Sequence, residues 1–181
     1  NTVNRVRLLC ALAAIALLVV CLTVLLGWAF DIVFLTSMRS DWVSMKPNTA
    51  VGLLLGGSAI LLLHSEQYRP ARTSLARAVI LVLFLIGALS LWENVSGHNF
   101  GIDQALFTDS ASAPHTSKPG LMSPAISLCL VLAGIALWTL TINSKAPSSS
   151  AYDLVCQFSF VLIGLLALFV CVGYVFNLEM L

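Results

Sequence analysis

Glu93 is the residue whose placement most invites chemistry. It closes the charge-free stretch 78–92, which opens after Arg77, sixteen residues before it. Sixteen residues of helix span roughly 24 Å at 1.5 Å per residue, less than the hydrocarbon core of about 30 Å. One or both charges must therefore snorkel, or the carboxylate is partly immersed. An acid held inside a membrane is costly and is often functional. The polar run Asn94, Ser96, Gly97 and His98 follows at once, so the bland alternative is an acid marking the outer interface. Nearby, His98 and Asp103 carry the other groups able to bind, and Glu93, His98 and Asp103 are the expected polar contacts of any ligand at this end. A small amphiphile suits an apolar site with a few convergent polar groups. His98 and His115 are able to ligate a metal or sense protons, but they lack a fixed ligand spacing, and no metal and no cofactor is expected. Cys10, Cys21, Cys129, Cys156 and Cys171 form no C-x-x-C pair and lie inside apolar runs, as packing residues do. No HExxH, paired carboxylates or bis-histidine helix pair is present, so no catalytic centre is expected in this chain.

The elements that must carry these residues belong to a bilayer. The chain is 59% hydrophobic and 9% charged, with mean hydropathy +0.98, outside the range of soluble domains; no nucleic-acid partner is expected. Five neutral runs, 8–30, 47–63, 78–92, 121–144 and 154–178, predict five spanning helices of an all-α integral membrane domain covering residues 1–181. The first run is too long for a signal-peptide core and reads as an anchor. Arg5 and Arg7 precede it, and the link 64–77 holds Arg69, Arg72 and Arg77 against Glu66. The Lys/Arg rule then puts the N-terminus in the cytoplasm and the links 31–46 and 94–120 outside. In the outer link, Ile102, Leu106 and Phe107 are spaced for a short amphipathic helix lying on the bundle.

The runs also repeat. At an offset of 77 residues Met45, Pro47, Leu53, Leu55, Gly57, Ala59 and Leu63 recur as Met122, Pro124, Leu130, Leu132, Gly134, Ala136 and Leu140. The same offset lays 87–91 on 164–168. Duplicated transmembrane hairpins follow, with units near 5–64, 74–143 and 151–181, the third lacking its return helix. Proline at a first helical turn is pre-organised and loses no intrahelical bond. Behind it, Gly52 and Gly56 share a face with Gly57 beside them, and Cys129, Ala133 and Gly134 occupy the matching places. These six are the expected close-packing positions, within one molecule or in a dimer.

Three segments carry a family resemblance: Met45-Lys-Pro-Asn-Thr-Ala50 leading to Leu54-Leu-x-Gly57, Gly101-Ile-Asp-Gln-x-Leu-Phe107, and Pro119-Gly-x-Met-Ser-Pro124. The chain resembles, over nearly all of residues 5–181, the multi-helix membrane input region that precedes PAS, histidine-kinase or diguanylate-cyclase modules in bacterial signalling proteins. The resemblance implies a sensor in a bacterial inner membrane that passes a cue to a cytoplasmic output module, and homodimerisation by analogy with receptors. It carries no residue-level ligand motif. The second copy has Ala125 and Ile126 where the first has Asn48 and Thr49, so no role transfers between those positions. A transporter or channel subunit, or a structural subunit of a membrane complex, is the competing expectation. Carriers also use duplicated units, but these hairpins share one orientation and their spans hold almost no central charge.

Overall fold

The computed structural model describes residues 2–37, 44–64, 70–98, 100–101, 106–107, 120–143 and 150–175. Among them the chain forms six helices: α1 (Thr2–Ala29), α2 (Val33–Thr36), α3 (Pro47–Leu63), α4 (Pro70–Ser96), α5 (Pro124–Asn143) and α6 (Ser150–Val175). Four are long and apolar enough to cross a membrane, over Asn4–Ala29, Pro70–Ser96, Pro124–Ile142 and Ala151–Gly173. The protein is thus an all-α, multi-pass membrane protein by helix length and composition. α3 is equally apolar but has only 17 residues, roughly 25 Å of helix, short of a core of about 30 Å.

α3, α4 and α5 start at prolines 47, 70 and 124, where a missing N–H costs no intrahelical bond. α1 stops at a left-handed residue: Asp31 has φ 52°, and Ile32 N–H donates to Gly27 O at 2.8 Å. This is the six-to-one closure of a Schellman turn, made with aspartate, which tolerates that conformation better than most residues.

The helices pack as a row, α1 against α3, α3 against α4, α4 against α5 and α5 against α6, with α3 and α5 also touching each other. Small residues make this possible. A Cβ built at Gly57 would lie 3.3 Å from Ala14 O of α1, and one at Gly52 would lie 2.7 Å from Leu130 Cδ1 of α5. At Gly134 it would lie 2.9 Å from Phe84 Cβ of α4. Gly56 is looser, 3.3 Å from Leu83 Cδ1, while Cys129 and Ala133 are half-buried. At Gly87 on α4 a Cβ would stand 2.9 Å from both Leu130 Cβ and Val131 N, so here α4 comes against the backbone of α5. Ala59, Ile80 and Leu137 join α3, α4 and α5 in one buried cluster; Cys21, Val24 and Ala50 join α1 and α3 in another. α1 and α6, at the ends of the row, keep large apolar side chains such as Leu9, Val20, Phe158 and Phe169 exposed, a surface suited to acyl chains.

The boundaries of α4 correct one sequence expectation. Arg72 and Arg77 are on the helix, although they delimit the neutral run and were expected in the link 64–77. Arg72 Nη2 donates to Leu61 O of α3 at 2.7 Å, and Arg77 donates through Nε and Nη2 to Thr141 Oγ1 (3.3 Å) and O (3.2 Å) of α5. Those carbonyls lie in the last turns of antiparallel neighbours, where acceptors lack intrahelical partners and the helix dipole favours cations. The charge ends the apolar run without ending the helix.

Candidate functional site

The site is built on one face of α4. Ile80, Leu83, Gly87, Ser90 and Glu93, spaced three or four apart, are all buried, so this face points between α3 and α5. Gly56 meets Leu83 and Gly134 meets Phe84, which sets the antiparallel registers. Those registers bring the starts of α3 and α5 beside the end of α4. Two helix N-termini, each the positive end of a dipole, therefore border the level of Glu93.

Glu93 is 2% exposed, so its side chain neither snorkels nor sits at an open interface. α4 ends at Gly97, which takes φ 72° while its N–H donates to Glu93 O at 3.0 Å. The chain then doubles back, and Phe100 N–H donates to Glu93 Oε1. Glu93 Oε2 is buried and has no partner among the described residues; the same holds for Ser90 Oγ, one turn earlier on the same face. Leaving a buried acceptor unpaired costs about 1–3 kcal/mol, more for a charged group. A donor placed there, from water, a ligand or the outer link, removes that cost.

Asn94 fastens the same end. Its Nδ2 donates to Ser90 O at 2.8 Å and to Met122 O at 3.1 Å, tying α4 to the residues that precede α5. Ser123 caps α5: Ile126 N–H donates to its Oγ at 3.3 Å, and Ser127 Oγ donates to its carbonyl at 3.1 Å. At the start of α3 the equivalent residue is Lys46, buried and without a side-chain cap bond; Asn48 and Thr49 beside it are buried too. Trp28 holds the remaining corner. Its indole N–H donates to Met45 O at 2.9 Å, and its ring lies 6.3 Å from that of Phe107.

Of the three expected ligand contacts, Glu93 is in the junction and His98 is exposed on the turn beyond it, its backbone N–H donating to Ser96 Oγ at 3.3 Å. Asp103 lies outside the described residues, as do Ile102 and His115. Leu106 and Phe107 are described but not as helix. Sequence reasoning passed over Ser90, Asn94, Ser123 and Trp28. Asn94 read as the first loop residue, although its i−4 spacing to Ser90 is a helical signal. Among the described residues there is no group of three or more His, Cys, Asp and Glu able to hold a metal, and the five cysteines are free thiols on three helices, α1, α5 and α6.

No known protein family, curated protein or solved structure matches the chain.

Proposed function

We propose that the chain is the membrane-embedded input region of a bacterial signalling protein, resident in the inner membrane with its N-terminus in the cytoplasm. It is built from hairpins repeated at 77 residues, with α3 as a fifth, short crossing and α6 opening a third unit. It works as a homodimer. The cue is a small amphiphile or a membrane-dissolved molecule received at the outer end, and the output module is cytoplasmic, beyond residue 181.

The observation that carries this reading is the buried carboxylate of Glu93. One oxygen holds the turn that starts the outer link, and the other awaits a donor inside a three-helix junction. A ligand that supplies the donor acts on the link and on helix packing together. A conformational signal requires such differential binding to two packings. The internal repeat gives further support, since α3 and α5, the helices opened by Met-x-Pro, both pack on α4.

The test is the output of the full-length protein. Glu93→Gln keeps the shape and removes the charge, and the expected result is an altered response to the cue with expression intact. His98→Ala and deletion of residues 108–117 report on the turn and the link. Wild-type output from all three variants removes the outer site. A transport or electron-carrier assembly in place of a kinase, PAS or cyclase module in the same polypeptide overturns the sensor reading itself.

A further inference from the structure

α6 is the least covered of the four spanning helices: 6% of its span is buried, against 17% for α1, 28% for α4 and 39% for α5. Its buried residues Ser159 and Gly173 lie on one side, and α5 is the helix it packs on. On the opposite side Gln157, Gly164 and Cys171 recur every seven residues, with Phe160 and Leu168 between them, and all five are exposed. Large apolar side chains such as Phe160 and Leu168 suit lipid on any edge helix. A primary amide and an open glycine in the same row do not have that explanation.

Gln157 stands six residues inside the span that opens at Ala151, about 9 Å along the axis and within a hydrocarbon core of about 30 Å. Its side chain makes no hydrogen bond among the described residues, and acyl chains offer none. The amide carries an acceptor oxygen and two N–H donors, and is satisfied there only beside another polar group. Gly164 meets nothing within 4 Å, whereas Gly87, its counterpart in the repeat, lies against the α5 backbone. The close-approach position recurs on α6 without a helix against it. Gly52, Gly57 and Gly134 are taken up by contacts within one chain. Asp153, one turn before Gln157, belongs to the first turn of α6, at the edge of the bilayer.

Two copies inserted in the same sense bring their α6 helices together in parallel about a two-fold axis, where each residue of the row meets its own twin. An amide is self-complementary in that arrangement, each oxygen accepting from the other's N–H. The seven-residue spacing is that of a left-handed helix pair, in which a single polar core residue fixes register. Glycine in the row lets the backbones approach closely.

We propose that the α6 row through Gln157, Phe160, Gly164, Leu168 and Cys171 is the seam of a parallel homodimer, locked by reciprocal hydrogen bonds between the two Gln157 amides. The proposal rests on the homodimer part of the signalling reading and says where the second copy sits. It does not depend on Glu93 or on the cue.

Cys171 is a native reporter, because residues that meet their twins across such an axis come within the Cα separation of about 4.4–6.8 Å that a disulfide spans. The full-length protein in its own membranes is oxidised with copper–phenanthroline. The expected result is a linked dimer that Cys171→Ser abolishes and Cys10→Ser, exposed on α1, does not. In the Cys171→Ser background, Phe160→Cys, Gly164→Cys and Leu168→Cys restore linkage. Phe158→Cys, Leu165→Cys and Val172→Cys, equally exposed but off the row, do not. Gln157→Leu keeps the bulk and weakens association about ten-fold, the scale of a pair of interhelical hydrogen bonds in lipid, and Gln157→Asn recovers part of the loss. Single-molecule photobleaching counts the copies independently. A dimer without Cys171 linkage, linkage as strong off the row as on it, or wild-type association of Gln157→Leu overturns the seam and leaves the homodimer reading standing. A monomer by photobleaching overturns both.

Discussion

Replacing Gly87 with alanine tests the place where α4 comes against the backbone of α5. The new Cβ would stand 2.9 Å from Leu130 Cβ, 2.9 Å from Val131 N and 3.0 Å from Ser127 O. Two of those atoms are α5 backbone and cannot rotate away, so the helices must separate. Overpacking of this kind costs about 1–3 kcal/mol. Alanine recovers up to about 1 kcal/mol of helix propensity, leaving a net loss of roughly 0–2 kcal/mol. Gly164, 77 residues further on in α6, meets nothing within 4 Å. There the same substitution keeps the propensity gain and meets no obstacle. Thermal melting in detergent should give Gly87→Ala a lower Tm than wild type, by about 2–4 °C per kcal/mol lost, and Gly164→Ala an equal or higher one. An SDS titration in mixed micelles provides an independent ranking. If Gly164→Ala is the less stable of the two by both methods, the α4–α5 approach is not what Gly87 is for.

Asn94→Ala removes the bond to Met122 O that joins α4 to the residues before α5, together with the bond to Ser90 O within α4, and should cost about 1–2 kcal/mol; faster amide exchange around residues 122–127, with α1 unaffected, is the accompanying sign. Ser123→Ala should cost about 0.5–2 kcal/mol through loss of the α5 cap, read from Tm in detergent. Reporter fusions within residues 108–118 should read external and those at 145–151 cytoplasmic, as the Lys/Arg distribution requires; a cytoplasmic signal from 108–118 reverses the topology.

Much of the helical layout is legible in charge alone. The neutral runs 47–63 and 121–144 lie almost on α3 and α5, because proline fixes where each begins. The run 78–92 falls short of α4 at both ends. Arg72, Arg77 and Glu93 are helical residues, the two arginines bonded to neighbouring helices and Glu93 to the turn that follows α4, and a hydropathy reading treats every charge as a boundary. For the same reason the reading could place Glu93 at the membrane edge but could not find its burial. That depends on the α3 and α5 registers, which Gly56 and Gly134 set across chain separations no local pattern encodes. Between the two copies Lys46 changes to Ser123. The change is a helix-capping choice, visible in the preference of serine for that position.

α4 is tied to its neighbours at both ends. Arg72 and Arg77 fasten one end to the last turns of α3 and α5, and Asn94 fastens the other to the residues that open α5. A helix pinned this way cannot slide along its axis. A one-turn piston stroke of about 5.4 Å would break all of these bonds together and drive Gly87 past the backbone it touches. Motions that conserve them are rotation and bowing of the central trio as one body. Freedom to translate belongs to the edges of the row, where, among the described residues, α6 packs chiefly on α5 and α1 on α3. Among the described helices a mechanical stroke is therefore carried by α1 and α6, with the centre acting as the bearing.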